Sequence, residues 1–128
     1  MNFMSNSNHL KSEAARHILT EFNQKGNLEC IIYAYKDGGI ITEITEDGFK
    51  IKNFTSMCAS VLEGALGIGE TMGNRRILKI ITELEEKTIL IYECDNKTFL
   101  ILIVKKDSNI NLIFNQLEEV IQELIKLC

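Results

Sequence analysis

The chain has 128 residues, a formal net charge of −4, 45% hydrophobic residues and 25% charged residues. This length is typical of one domain whose core needs no disulfide or metal. The mildly acidic balance disfavours nucleic-acid binding, which requires a basic stripe. No apolar run approaches the roughly 20 residues of a membrane-spanning helix. We therefore expect a flexible tail over residues 1–8 and one domain over 9–128, with no nucleic-acid partner and no membrane insertion.

The cysteines indicate a reducing compartment. Cys30, Cys58, Cys94 and Cys128 share no CxxC spacing and lie far in sequence from both histidines. This pattern disfavours a zinc site. Most of these thiols lie in apolar segments, where free cysteine behaves as a small hydrophobic side chain. Because no secretory signal is present either, we expect a cytoplasmic protein without metal or cofactor.

The first half of the chain predicts a helix followed by a hairpin. Apolar residues at every fourth position predict a helix over 10–22, with Gly26 as its stop. Strands are predicted over 28–35 and 40–45. Asp37-Gly38-Gly39 between them tolerates the positive φ of a tight hairpin turn. A further turn is predicted at Asp47-Gly48.

The second half predicts a helix, a three-stranded meander and a final helix. The helix covers 56–73, with Ser56 as its N-cap. The clearest apolar stripe, with steps of three or four residues, predicts the last helix over 110–127. Antiparallel hairpins join the three strands, which are predicted over 76–84, 88–94 and 98–104. The element order is therefore α-β-β-α-β-β-β-α.

Strand composition predicts how the sheet is covered. The strands 28–35 and 98–104 are apolar on both faces, so both faces of the sheet need helices against them, and 98–104 should be central. The strand 76–84 carries Arg76, Lys79 and Glu83, which suits an edge. The expected fold class is α/β (α+β): a three-layer α-β-α sandwich around a five-stranded antiparallel sheet.

The second predicted helix lacks the wide polar face of a surface helix. On a helical wheel an apolar stripe, expected to face the chain's own sheet, comprises Met57, Val61, Ala65, Ile68 and Met72. A stripe of small residues lies beside it: Ser60, Gly64, Gly67 and Thr71. Each glycine costs a helix roughly 0.8–1 kcal/mol against alanine. Close approach of another backbone would offset that cost.

Two interpretations of this helix remain open. In the first, another segment of the same chain covers the helix, or its end frays at Gly69 and Gly73. In the second, the same helix of a second subunit packs on it across a two-fold axis. The edge strand favours the second interpretation, because self-pairing would satisfy its open side. The predicted dimer interface comprises Ser60, Gly64, Gly67, Thr71, Ile77, Lys79 and Ile81.

Catalysis is not expected. The glycine-rich run 64–73 matches neither the dinucleotide fingerprint nor a phosphate loop, and it lies within a helix. Cys58 follows a helix start, where a thiol pKa can fall, but no histidine is placed to act as its base. The simpler interpretation makes Cys58 a core residue, while an enzyme using Cys58 stays an alternative. A sensory αβα domain holding a small ligand is a second alternative.

The element order, the Asp37-Gly38-Gly39 hairpin and the small-residue second helix resemble the roadblock family of dynein light-chain-like domains. The strands from 76 to 104 and the final amphipathic helix continue the resemblance over nearly the whole chain after residue 8. The resemblance implies a dimer with a continuous sheet and paired second helices. It also implies a non-enzymatic regulator or scaffold that binds small Ras-like GTPases and has no nucleotide site of its own.

Overall fold

The computed structural model describes residues 3–26, 28–45 and 50–127, with side chains from residue 10 onwards. The predicted turn at Asp47-Gly48, and Cys128, lie outside the described residues. The elements follow in the predicted order: α1 (Phe3–Gly26), β1 (Cys30–Tyr35), β2 (Ile40–Thr45), α2 (Ile51–Thr71), β3 (Ile80–Glu83), β4 (Lys87–Glu93), β5 (Thr98–Lys105) and α3 (Ile110–Ile125).

The five strands form one antiparallel sheet in the order β2-β1-β5-β4-β3. β5 is the central strand and is buried from Thr98 to Val104, as its two apolar faces predicted. β3 is an edge strand, which confirms the expectation drawn from its charged residues. The α+β fold class is confirmed.

Helices cover both faces of the sheet, so the chain has the predicted three layers. On one face, residues of α1 and α3 such as Leu19 and Leu117 share a core with Ile31 and Leu102. On the other face, Leu62 of α2 packs into a separate core. The residues of β1 and β5 that belong to this second core are Cys30, Ile32, Ala34, Phe99, Ile101 and Ile103. We call these the α1–α3 face and the α2 face.

α1 differs from its predicted form in two respects. It begins at Phe3, so residues 3–8 of the expected tail lie within the helix, where no glycine or proline interrupts the chain. Its buried side is formed by Ala15, Leu19 and Phe22, whereas Leu10 is exposed. Residues spaced by four do not stay on one side of a helix with 3.6 residues per turn. Leu10, the first apolar residue of the predicted stripe, therefore lies away from the buried side.

The β1–β2 turn has the conformation that its glycines predicted. Gly38 adopts φ +101°, its N–H donates to the Tyr35 carbonyl, and the Gly39 N–H donates to Asp37 Oδ1 at 2.9 Å. The turn also packs on α2, because a Cβ at Gly38 would lie 3.2 Å from Ser56 Oγ.

Gly38→Ala is therefore expected to destabilise the fold by roughly 1–2 kcal/mol, the cost of a left-handed backbone for a residue with a Cβ. Urea unfolding followed by circular dichroism measures the effect. Gly39→Ala is the matched control, because Gly39 lacks a positive φ and its added Cβ would approach only two side chains, Asp37 Oδ1 at 3.2 Å and the Tyr35 ring at 3.6 Å. Equal losses in the two variants would contradict this account of the turn.

The two edge strands of the sheet, β2 and β3, differ in whether side chains of another element bond to their outer side. Side chains of α1 lie along β2: Ser12 Oγ donates to the Ile41 carbonyl at 2.7 Å and Arg16 Nη1 to the Glu43 carbonyl at 2.6 Å. Within the described ranges no comparable bond reaches the outer side of β3. The β3 edge is therefore the side of the sheet on which a further strand can add.

Candidate protein-interaction surface

α2 starts earlier than the sequence suggested. It begins at Ile51, with Lys50 at the N-cap position and no side-chain capping bond, so the predicted N-cap at Ser56 is wrong. The added turn carries Ile51 and Phe54, which pack against the core of the α2 face. Burial of these apolar side chains supplies the stabilisation that a cap would otherwise provide.

α2 is also rotated relative to the prediction. Its buried residues are Thr55, Cys58, Ala59, Leu62 and Gly69. The stripe that was expected to face the chain's own sheet lies outside instead, with exposed fractions of 62% at Met57, 49% at Val61, 64% at Ile68 and 66% at Met72. Only Ala65 of that stripe is half-buried. Such a contiguous run of exposed apolar side chains marks an interaction surface.

The stripe of small residues lies on this outer side as well. Ser60, Gly64 and Thr71 are exposed and Gly67 is half-buried. An added Cβ at Gly64 or Gly67 would meet no atom within 4 Å. We call the two neighbouring stripes together the α2 outer surface: Met57, Ser60, Val61, Gly64, Gly67, Ile68, Thr71 and Met72.

Gly69 has a different role from the other helical glycines. An added Cβ would lie 2.2 Å from the Arg75 carbonyl oxygen, and the Arg75 N–H donates to the Gly69 carbonyl at 2.8 Å. The chain turns back over the helix end through Gly73 and Asn74, which both have positive φ. At Gly69 the covering segment thus belongs to the same chain, whereas the α2 outer surface has no cover in the described residues.

The β3 edge carries the remaining predicted interface residues. Ile77 is half-buried, while Lys79 and Ile81 are exposed, and the Lys79 ammonium lies 3.9 Å from the centroid of the Phe114 ring. β3 is shorter than predicted, because residues 75–79 cross the end of α2 before they reach the sheet. The sequence interpretation did not single out Leu78 and Leu84, which are 76% and 52% exposed and flank the strand.

A cavity of about 570 Å³ lies between the segment before β3 and α3. Its lining includes Leu78, Lys79, Tyr92 and Phe114. Burial raises the pKa of the Tyr92 phenol to about 12. Among the described side chains, the buried oxygens that lack a partner are Asn23 Oδ1 and Gln116 Oε1, and neither residue lines this cavity. This arrangement does not favour a ligand-sensing site between sheet and helix.

The described thiols are placed for packing. Cys30, Cys58 and Cys94 are free and buried. Burial raises the pKa of Cys58 to about 11 and that of Cys94 to about 12. His17 lies on the exposed side of α1, 3.5 Å from Glu21. In the described part of the chain no group of three potential ligands could hold a metal ion.

Cys58 is accordingly expected to resist alkylation. At pH 8 a thiol of this pKa is about 0.1% ionised, and the thiolate is the nucleophile. Iodoacetamide should label Cys58 at least about a hundredfold more slowly in the native protein than in urea, as peptide mass spectrometry would show. Rapid native labelling would restore the alternative of an enzyme that uses Cys58.

No helix in the ranges that the structure describes has the length and apolar character needed to span a membrane.

Comparisons with known proteins support a specific fold. No family model matches the sequence, and no curated protein does. The structure is similar to that of Myxococcus xanthus MglB, with a TM-score of 0.85 and 13% identity over 91% of this chain and 88% of that one. The gliding protein MglB of Thermus thermophilus gives a TM-score of 0.83 and 11% identity over 91% and 90% of the two chains.

A Roadblock/LC7 domain from Streptomyces avermitilis is also similar, with a TM-score of 0.71 and 9% identity over 77% of this chain and 83% of that one. At these identities the likeness establishes the fold. It agrees with the α-β-α layers, the sheet order and the resemblance noted from the sequence. The chain therefore has the roadblock fold.

Proposed function

We propose that this chain forms a symmetric homodimer through the α2 outer surface and the β3 edge. We further propose that the dimer is a cytoplasmic, non-enzymatic regulator or scaffold that binds a small Ras-like GTPase. The observation that carries the proposal is the α2 outer surface, where Ile68 and Met72 expose most of their side chains. These apolar groups flank Gly64 and Gly67, which leave room for a second backbone.

The dimer follows from the physical requirements of these elements. Burial of an exposed aliphatic side chain contributes about 1.5–3 kcal/mol, and several lie on one side of α2. Gly64 and Gly67, which nothing in the described chain approaches, would otherwise only weaken the helix. The same interface contains the predicted residues Ser60, Gly64, Gly67, Thr71, Ile77, Lys79 and Ile81. Pairing through the β3 edge would also satisfy backbone groups that the monomer leaves to water.

The proposed GTPase partner has support of a different kind. The fold is shared with two proteins described as MglB and with a Roadblock/LC7 domain. This agrees with the roadblock resemblance noted from the sequence, and that resemblance implies binding to small Ras-like GTPases. The chain's own glycine-rich run offers no phosphate loop, since Gly64, Gly67 and Gly69 lie inside α2. Amides in the interior of a helix are bonded to carbonyls and do not turn toward a phosphate. The nucleotide in the proposed complex would therefore be held by the partner.

Binding assays with purified small Ras-like GTPases of the source organism test this function. Each GTPase is loaded with GDP or with a non-hydrolysable GTP analogue and titrated with the dimer in calorimetry. We expect saturable micromolar or tighter binding of one GTPase, with at least a tenfold preference for one nucleotide state (about 1.4 kcal/mol). Single-turnover GTP hydrolysis then separates a regulator from a scaffold. The proposal would be contradicted if no GTPase binds even at a protein concentration on the order of 0.1 mM, 100-fold above the expected micromolar dissociation constant.

A further inference from the structure

A groove of about 370 Å³ lies against the flank of α2 that faces away from the α2 outer surface. Its lining consists of Ala59, Leu62, Glu63 and Leu66 on α2, with Lys36 and Asp37, which follow β1. At 3.6 residues per turn, Glu63 lies about 160° around the helix from Val61, and Leu66 lies about 160° from Ile68. The groove is therefore outside the proposed subunit contact.

The floor of the groove is apolar and firmly held. Leu62 and Ala59 are buried in the core of the α2 face, and the half-buried Leu66 packs against the same core. The β1–β2 turn is fixed beside it, because Gly38 lies against Ser56, about one helical turn before Ala59. A preformed apolar concavity of roughly 300–1,000 Å³ is the usual form of a binding site.

The rim of the groove carries negative charge that the chain does not neutralise. Glu93 of β4 already pairs with the Lys36 ammonium, and these side chains are only 17% and 24% exposed. Asp37 and Glu63 are exposed, and within the described ranges neither carboxylate takes part in an ion pair. Glu70, also exposed, continues the rim about 10.5 Å further along α2. An apolar floor thus lies beside a row of carboxylates.

We propose that this groove binds a basic amphipathic helix of a partner protein. Its apolar side chains would contact Leu62 and Leu66, while its lysines or arginines would pair with the rim carboxylates. Two cations seven residues apart on a helix are separated by about 10.5 Å, which is the spacing of Glu63 and Glu70. Apolar anchors three and four residues after the first cation share that side of the helix. The acidic rim repels nucleic acids and anionic membrane surfaces.

This interaction goes beyond the proposed function, because it uses neither the α2 outer surface nor the β3 edge. Association of two subunits would leave one groove on each copy. The partner helix is recognised by its charge and its apolar anchors, and the groove needs no nucleotide to form.

Selection from a peptide library tests the proposal without knowledge of the partner. Random peptides of about 16 residues, long enough to form a helix on binding, are displayed on phage and panned against the immobilised full-length protein. We expect the recovered peptides to combine two or more basic residues with leucine, isoleucine or phenylalanine at helical spacing. They should not be retained by a Glu63→Lys, Glu70→Lys double variant. The proposal is overturned if no peptide is recovered, if the recovered peptides are acidic or uncharged, or if the double variant retains them equally.

Charge exchange between the protein and a recovered peptide then locates the contact. Glu63→Lys is expected to raise the dissociation constant at least tenfold, because an attraction becomes a repulsion. A peptide with glutamate in place of the paired basic residue should regain affinity for this variant, which a change of fold could not produce. Glu85→Lys is the matched control at another exposed position and should have no effect.

Ile68→Glu separates this groove from the α2 outer surface. Peptide affinity should be unchanged in this variant, because Ile68 lies on the opposite flank of the helix. If Ile68→Glu abolishes peptide binding and Glu63→Lys does not, the peptide occupies the α2 outer surface. That result would overturn the groove as a binding site and would leave the proposed dimer standing.

Discussion

Ile68→Glu is expected to convert the dimer into a folded monomer. Ile68 is 64% exposed in the single chain, so a carboxylate there remains in water and should change the free energy of unfolding by no more than about 0.5 kcal/mol. In the dimer the same carboxylate would be buried without a partner in both subunits. We expect the dissociation constant to rise at least a hundredfold, about 2.7 kcal/mol. Multi-angle light scattering across a concentration series measures this change.

Leu10→Glu is the matched control for this prediction. Leu10 is 65% exposed on α1, at the other face of the sheet. Its substitution introduces the same charge at an equally exposed position outside the proposed interface, so the dimer should persist. If Ile68→Glu leaves the dimer intact, or if both variants dissociate alike, the α2 outer surface is not the subunit contact.

Gly69→Ala is expected to cause a large loss of stability. Its Cβ would lie 2.2 Å from a carbonyl oxygen of the backbone, which cannot rotate away as a side chain would. The bond from Arg75 N–H holds this segment against the helix. We expect a loss of about 1–3 kcal/mol, the usual cost of overpacking, and a melting temperature lower by roughly 5–15 °C. Calorimetry in the Ile68→Glu background keeps subunit association out of the comparison.

Gly64→Ala, in the same helix, is expected to change the stability of the monomer in the opposite direction. No atom lies within 4 Å of its added Cβ, so the monomer should gain about 0.8–1 kcal/mol of helix propensity. In the wild-type background the same methyl group should weaken the dimer if a second backbone approaches there. A loss of monomer stability in Gly64→Ala would show that another part of the same chain packs against Gly64.

Most of the architecture could be predicted from the sequence because its turn residues and apolar patterns are clear. The Asp37-Gly38-Gly39 turn, the apolar strand that became β5 and the stripe of α3 each specify one local structure. The order of elements and the layers then follow from the need to cover two apolar faces. The charged residues of the segment 76–84 were sufficient to place it at an edge, where such side chains can remain in water.

The orientation of α2 could not be predicted in the same way. A helix that is apolar or small nearly all round has no polar side to identify its outside. The residues that identify its buried side include Ile51, which lies before the predicted start of the helix at Ser56. With Ile51 included, the positions of Ile51, Thr55, Cys58, Leu62 and Gly69 fall within about 60° of a helical wheel and form one continuous buried arc. The role of Gly69 depends on a backbone crossing that no local pattern encodes.

The covering of β2 by α1 has a consequence for assembly. A sheet with two open edges could add copies at both ends and grow into a fibre, as chains with self-complementary strands do. Here Ser12 and Arg16 occupy carbonyls of β2, so one end of each sheet is closed. Once two copies join at β3, both ends of the combined sheet are β2 strands. The polar side chains of α1 would thus limit growth to two subunits and protect the protein from linear polymerisation.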